Sequence, residues 1–588
     1  MHSLRWAEAA HRILLPDDHA ALDGAYDVLL AARVELHRRT GKATDLLLLQ
    51  EQDAVAAALG DDDADALMAR VAAAARTISW TSDETWDRIT SSLRGPHGRV
   101  ARADRPLGQG LVLREGMVEL APGADPAADP GIVLRAGAAA ASSGVRIARS
   151  ALDRLAAEAG TLGDPWPDEA RDALVGVLGS GRPAIAVLEA LDQKGLLVRA
   201  VPEWAAVRHR PQRNAYHRYT DDRHLWEAAA EAAVLVDRVR RPDLLLVGAW
   251  LHDLGKGYAG TAGHDDDHSV AGARVVERLA ARMGFDDDAV ATLVTLVRLH
   301  LLLADAATRR DLDDSATVSS VAEAVGDRET LELLHALTEA DGAATGPAAW
   351  TSWKAGLVAE LVRRVDALLS GAAPATREFP GASHLALLER AREAGEAVVE
   401  ARGRTLTVGA PDRPGLFCRV AGTLSVHGLD VLAARAWSSE EGIAVEDFEV
   451  EPAVGSEPDW RTVEEDLRRA LSGRLSIEAR LAERAQSYAK RPRPSAAGPI
   501  AVEVEVENDA SDTSTVVEVR APDRIGTLYR ITRALADLEL DIRHAKVSTL
   551  GPEVVDVFYV VGSSGEKITD PDHVAEIERG VAFELSRA

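Results

Sequence analysis

The stretch PDLLLVGAWLHDLGKG, Pro242–Gly257, decides how the middle of this chain is read. Pro242 suits the first turn of a helix, where a missing N–H costs nothing. An almost unbroken apolar run follows, and Gly255 reads as the helix stop. A helix of this kind keeps its sides in a core. Ending it on the adjacent pair His252–Asp253 points both polar side chains into a cleft.

Working outward, the histidines cluster. Seven of the 17 (209, 217, 224, 252, 264, 268 and 300) fall within 92 residues, where even spreading would put about three. The most telling set is His224, His252–Asp253, His268, His300 and Asp341. Imidazoles and carboxylates without sulfur suit Mg²⁺, Mn²⁺ or Fe better than structural zinc. Such a metal polarises a phosphoryl oxygen and lowers the pKa of bound water. A carboxylate such as Asp253 can bridge two metals, and neutral imidazoles add ligands without adding repulsion. Lys256, one turn on, can face a substrate phosphate.

The whole chain sets limits on partners. Its 588 residues carry a formal charge of -27, which speaks against nucleic acid or an anionic membrane as a partner. Phosphate chemistry then needs local positive charge or a metal. The single cysteine, Cys418, permits no intrachain disulfide and points to a reducing, cytoplasmic setting. No uncharged apolar run approaches 18 residues; the most apolar stretch, Leu293 to Leu303, contains Arg298 and His300. Aromatics are 4%, so Leu, Val and Ala must build the cores.

Length alone predicts three to five domains. The first hundred residues read as helix, with Leu22, Tyr26, Leu29, Leu30, Val34 and Leu36 near helical spacing and Gly60 as a helix end. APGADPAADPG (121–131) reads as a linker or surface loop, Ala-rich helices follow to about 200, and 201–222 as an ordered irregular segment. Helical pattern returns to about 369, and RPRPSAAGP (491–499) is a loop. After about 403 the period changes to strand, helix, strand, and the pattern repeats. APDRPGL (410–416) matches APDRIGT (521–527), and LDVLAARAWS (429–438) matches LDIRHAKVST (540–549), both at an offset of 111 residues. That argues for a duplicated domain.

His224, His252–Asp253 and Asp341 resemble the H…HD…D signature of the HD superfamily of metal-dependent phosphohydrolases. RPQRNAYHRYTDDRH (210–224), LHDLGKG (251–257), DHSVAGA (267–273), LHLLLADAATRRDLDD (299–314) and TEADGAATGPAAWTSWK (338–354) resemble, more narrowly, the HD domain of the bifunctional uridylyltransferase/uridylyl-removing enzyme family, which modifies the PII nitrogen-signalling protein. The two repeats resemble that family's tandem ACT domains, βαββαβ modules that bind amino acids. The resemblance covers nearly the whole chain. It implies an all-α N-terminal region and an all-α HD domain followed by two α+β ferredoxin-like ACT domains. The expected division is a helical region over 1–120, a helical connector over 121–208, the HD domain over 209–370, and ACT domains over 403–485 and 514–588.

Carried over by position, the resemblance makes His224, His252, Asp253 and Asp341 primary metal ligands. His268 and His300 complete a second metal site or a substrate-facing shell. Asp253 and Lys256 carry the chemistry with a divalent metal (Mg²⁺, Mn²⁺ or Fe). The reaction is hydrolysis of the bond joining UMP or AMP to a tyrosine of PII. Two departures stand out: the longer YAGTAGHDDD (258–267), which adds His264 as a candidate ligand, and apolar Leu299 beside His300. In the ACT repeats, free N–H groups at the helix starts can hold a carboxylate. Gly415 and Gly526 permit close approach there, and Asp412 and Asp523 suit capping or an ammonium. Glutamine is the implied effector, and a homodimer through the ACT domains is one implied assembly.

The family's nucleotidyltransferase core is marked by Gly-Ser followed by Asp-x-Asp. Asp63-Ala64-Asp65 lacks the Gly-Ser, and Gly179-Ser180-Gly181 lacks the Asp-x-Asp. The expectation is therefore hydrolysis without transfer, with 1–120 resembling the helical region that follows that core. Two other functions compete: a guanosine tetraphosphate hydrolase, and a non-catalytic amino-acid sensor that binds PII.

Overall fold

The computed structural model describes residues 16–93, 104–212, 218–261, 267–347, 349–373, 379–439, 441–452, 458–489, 501–550 and 553–587. They form two compact units: Met1–Leu301 with Asp327–Ala355, and Leu302–Gly326 with Gly356–Ala588.

The chain opens on three helices, α1 (Pro16–Thr40), α2 (Leu49–Leu59) and α3 (Ala64–Leu93). Gly60 ends α2 at φ 79°, the left-handed geometry expected of it. Three antiparallel strands follow, β1 (Arg105–Gly108), β2 (Leu111–Arg114) and β3 (Met117–Leu120). The sequence predicts helix throughout 1–120. Each strand has only four residues, too few for a period of two to declare itself. The β2–β3 turn is made by Glu115 and Gly116, both at positive φ, as a two-residue hairpin needs. The expected loop at 121–131 then leads to α4 (Ile132–Ser143), α5 (Arg149–Glu158), α6 (Asp168–Gly179), α7 (Arg182–Gln193) and α8 (Leu196–Ala200). The irregular segment expected after 201 holds a short 3₁₀ turn, Pro202–Ala206.

The helices around the HD motif are α9 (Asp221–Ala232), α10 (Pro242–Leu251), α11 (His268–Arg282) and α12 (Asp287–Leu299). Then come α13 (Leu302–Arg309), α14 (Ser315–Val325), α15 (Arg328–Thr345) and α16 (Ser352–Leu369). Pro242 sits in the first turn of α10 as expected, and Leu244 to Leu251 are all buried. Each such Leu or Val contributes about 1.5–3 kcal/mol, which makes α10 the spine of this unit. Gly255 does not stop it. The helix ends at Leu251, and Leu254–Gly257 form a 3₁₀ turn. Glycine is needed there because a Cβ on Gly255 would meet the His268 carbonyl oxygen at 1.9 Å. One stretch, Asp287–Arg309, is apolar and long enough by composition to cross a membrane. A turn at His300–Leu301 breaks it into α12 and α13, and α12 buries Leu293, Leu296 and Val297 within the first unit.

In the second unit α17 (Ala382–Ala394) precedes β4 (Val398–Arg402), β5 (Thr405–Pro411), α18 (Leu416–Val426), β6 (Leu429–Ser438), β7 (Ile443–Pro452) and α19 (Trp460–Leu471). After α20 (Ile477–Ala489) the pattern recurs as β8 (Glu503–Glu507), β9 (Thr515–Pro522), α21 (Thr527–Asp537), β10 (Asp541–Leu550), β11 (Glu553–Val561) and α22 (Pro571–Ser586). The duplication is real, and the repeats join edge to edge in one antiparallel sheet, β4-β5-β7-β6-β10-β11-β9-β8. Each repeat runs ββαββα, not the expected βαββαβ: its edge strand comes first, paired to the next strand, and lies ahead of residue 403 or 514. For β4 the link is a two-residue hairpin with Gly403 at φ 60°, a local pairing with little loop-closure cost. Helices cover one face, where Phe417 of α18 packs on Phe448 of β7 at 5.0 Å. On the other face α17 packs Leu387 and Leu388 against Val445, and α13 lies on β10 and β11. The loop RPRPSAAGP (491–499) lies outside the described residues.

Candidate metal centre

Every candidate ligand comes from a helix wall or a helix end. His224 is in the first turns of α9 and Asp341 in α15; His252 and His300 cap the C-termini of α10 and α12, and His268 opens α11. Trp226, two residues after His224, and Trp250, two before His252, both stack on Trp204 at centroid distances of 6.0 and 5.2 Å. All three indoles are essentially fully buried. This stack fixes α9 against α10 and with them the two imidazoles.

The six side chains form two groups of three: His224, His252 and Asp341, and Asp253, His268 and His300. In the first, His224 Nε2 lies 3.0 Å from Asp341 Oδ1 and 3.4 Å from His252 Nε2. His252 Nε2 is 3.5 Å from the same Asp341 oxygen. In the second, His268 Nε2 and His300 Nε2 each lie 3.5 Å from Asp253 Oδ1. Asp253 joins the groups, because its Oδ2 faces His252 Nε2 at 3.4 Å. His252 Nδ1 and His300 Nδ1 lie 2.9 and 2.8 Å from the carbonyls of Ala249 and Val297. A ring that donates there has its Nε2 lone pair turned inward, as a metal-bound histidine does.

The electrostatics suit a cation. Burial disfavours charge on both carboxylates, yet Lys256 and His252 hold Asp253 well below the usual range, and His252 and His224 do the same for Asp341. Burial also opposes charge on His252, but Asp253 and Asp341 outweigh it and push His252 up to about 10. Asp253 Oδ1 is buried and has no hydrogen-bond partner. An ionised, buried, unpartnered oxygen facing two imidazole nitrogens is a ligand position. The residues therefore fit a divalent cation bound through nitrogen and oxygen.

Lys256 points inward, with Nζ 2.6 Å from Asp253 Oδ2 and 3.2 Å from Gln212 Oε1. Two neighbours were missed from the sequence, Gln212 and Asp221. Burial, with Asp253 nearby, pushes Asp221 up to about 7 against Lys256 and Arg210. Its TDD string reads only as a helix start, which it also is. His209 stands apart, its Nδ1 2.8 Å from Arg76 Nη1. His217 and His264, the extra ligand candidate, lie outside the described residues.

The four expected effector residues sit at two equivalent turns. Gly415 and Gly526 are the N-caps of α18 and α21 at φ 81° and 87°, and neither helix has a side-chain cap. Asp412 and Asp523 are exposed, and the Asp412 N–H donates to the Gly442 carbonyl. Beneath the turns lie two acids that the sequence reading passed over, Glu446 and Asp556. They are 3% and 1% exposed, and each has one oxygen without a partner.

An all-α histidine–aspartate centre in one unit and a pair of ferredoxin-like modules in the other define an HD-domain protein with tandem ACT domains. Comparison with known proteins agrees. The profile of the HD domain matches residues 222–343, that of the ACR family N-terminal ACT domain residues 510–586, and that of the GlnD PII-uridylyltransferase residues 3–86. A bifunctional uridylyltransferase/uridylyl-removing enzyme of Streptomyces coelicolor is 44% identical over 95% of this chain and 73% of its own length. One of Mycobacterium tuberculosis (strain CDC 1551 / Oshkosh) is 41% identical over 92% of this chain and 68% of its own, and one of Azospirillum brasilense 32% over 71% and 51%. The chain belongs to the family of bifunctional uridylyltransferase/uridylyl-removing enzymes.

Proposed function

We propose that this chain hydrolyses the phosphodiester joining UMP or AMP to a tyrosine of PII, with Mg²⁺, Mn²⁺ or Fe held by His224, His252, Asp253, His268, His300 and Asp341. The observation that carries the reading is Asp253, whose two oxygens face two separate ligand groups while one has no partner. A bound divalent metal would supply a Lewis acid for the phosphoryl oxygens and a water of lowered pKa. The chain's own residues do the rest. Asp253 orients the two groups about one carboxylate. Lys256, held above its ordinary pKa by Asp253 and Asp221 although burial opposes this, is a cation beside the place where phosphate charge develops. The Trp204 stack holds Trp226 and Trp250, and with them the helices that carry His224 and His252.

Nucleotidyl transfer, part of the relatives' names, is not assigned to these residues. Asp63 accepts from the Ala66 N–H as a cap of α3, and Gly179 ends α6, with Ser180 and Gly181 joining it to α7. The division into a helical region, a connector, an HD domain and two ACT modules is kept as part of this proposal, with β4 and β8 placed ahead of the two ACT modules. In this reading the ACT pair takes glutamine, and the filled pair shifts the HD unit toward its competent state, which requires glutamine to prefer one of two states. The deciding experiment incubates nucleotidylated PII with the chain, with and without Mn²⁺ and glutamine. Metal-dependent release of UMP or AMP supports the proposal. Release of pyrophosphate from guanosine tetraphosphate instead, or no metal-dependent release at all, sinks it.

A further inference from the structure

The face of the sheet opposite the four covering helices carries a polar cluster that the metal centre does not use. Strand β10 brings His544 and Lys546 to it, β6 brings Arg435 opposite His544, and β11 brings Tyr559. The loop after α13 closes over them: the Asp311 N–H donates to Tyr559 Oη at 2.7 Å, and Asp313 is paired with Arg435 and, at 2.6 Å, with Arg364.

His544 is 4% exposed, and neither ring nitrogen has a hydrogen-bond partner. The Asp311 carboxylate stands 3.9 Å away from Nε2. Burial, with Lys546 and Arg435 beside it, holds the ring well below its ordinary pKa and so neutral. A neutral imidazole has one N–H to give and one lone pair to fill, and burying both unmet is costly. The ring lines a cavity of about 490 Å³, a size typical of small-molecule sites. Arg435 and Arg543 line it with Asp311, Asp313, Asp314 and Asp512, and Trp437 forms a wall. Both signs of charge meet in one small space. That suits a zwitterion, with a guanidinium for a carboxylate and an aspartate for an ammonium; a plain anion would meet the carboxylates.

The site is single although the frame is duplicated. At the 111-residue offset, Lys546 corresponds to Arg435, but His544 corresponds to Ala433.

We infer that this cavity is the binding site for a free α-amino acid, with His544 meeting the polar groups of its side chain. The inference rests on the amino-acid reading of the ACT pair and places the ligand on this face instead of at Asp412–Gly415 and Asp523–Gly526. It also gives the ligand a lever. The loop 311–315 lies within Leu302–Gly326, the stretch of chain between His300 and the helix that bears Asp341.

Calorimetric titration of the full chain with L-glutamine, and then with the other proteinogenic amino acids, tests it directly, without reference to hydrolysis. His544→Ala and Arg543→Met should each weaken binding by about tenfold or more with the melting transition retained, while Asp412→Asn with Asp523→Asn binds as wild type. Arg543 is at the rim, its side chain 34% exposed and paired along its own strand with Asp541, so it decides the matter if His544→Ala fails to fold. Unchanged binding in the His544 and Arg543 variants, or loss in the Asp412 and Asp523 variant, overturns the inference and leaves the amino-acid reading standing. A wild-type chain that binds no amino acid overturns both.

Discussion

Lys256 Nζ lies 2.6 Å from Asp253 Oδ2, while Asp253 Oδ1 is buried without a partner between His268 and His300. One oxygen is thus occupied by the protein and the other is left for a cation. Asp253→Asn keeps the shape and removes the charge. It should cut metal-dependent hydrolysis roughly a thousandfold or more, since a metal supplies several kcal/mol at the transition state. Metal content by mass spectrometry should fall with it. Full metal content with full activity would rule out Asp253 as a ligand.

Lys256→Met separates binding from chemistry. Lys256 contacts Asp253 and Gln212, and no described histidine is hydrogen-bonded to it. The variant should keep its metal and lose roughly tenfold to a hundredfold in kcat, the scale of one charge-assisted hydrogen bond. Loss of the metal with unchanged kcat per metal-loaded enzyme would make Lys256 a structural counter-ion only.

Gly255→Ala tests why the turn after His252–Asp253 is glycine. The new Cβ would overlap the His268 carbonyl oxygen and lie 2.5 Å from Gly272 N, both backbone atoms of α11. Backbone must move, at a cost of about 1–3 kcal/mol, and His268 moves with it. A lowered Tm together with weaker metal affinity is expected; unchanged values in both would disprove the tight fit.

Arg76 of α3 ties the N-terminal helices to the HD helices. It pairs with Asp222, with Glu189 at 2.9 Å and with Asp192 at 3.2 Å, and Asp192 and Asp222 are fully buried. Arg76→Met would strand those carboxylates and should destabilise the chain by about 3–5 kcal/mol. Denaturant unfolding measures this, and a change under about 1 kcal/mol would mean that Arg208, 3.0 Å from Asp192, suffices.

Asp556 makes the ACT pair sensitive to alkali. Burial, with Asp523 adding to it and the Ser548 backbone opposing it, raises this carboxyl from an ordinary 3.8 to about 8. A raised acid favours the fold in its neutral form. Its contribution is complete below the unfolded value and declines as pH rises toward and through about 8. At about 1.4 kcal/mol per unit the loss is on the order of a few kcal/mol. Wild type should melt lower at pH 8.5 than at pH 5.5, and Asp556→Asn should shrink that difference. An equal difference in both proteins would refute the assignment.

Much of this was legible in local sequence. Pro242 and eight apolar residues make a buried helix whatever surrounds it. The 111-residue repeat of APDR turns announces two copies of one module. The histidines and aspartates name a metal's chemistry by type alone, because ligand preference belongs to the side chain. Tertiary structure decided what depends on distant partners. It separated His252 from Asp253, adjacent in the chain, into two ligand groups, since the backbone turns at the end of α10. It seated Lys256 on Asp253 and Gln212, and moved the need for glycine at 255 from stopping a helix to meeting another one. It put the edge strand first in each repeat and placed Leu302–Gly326, flanked by HD residues, with the ACT sheet. Periodicity reports which face of a segment is apolar within some ten residues. Which other segment covers that face is settled by packing across the whole chain, and that includes the buried, unpartnered His544.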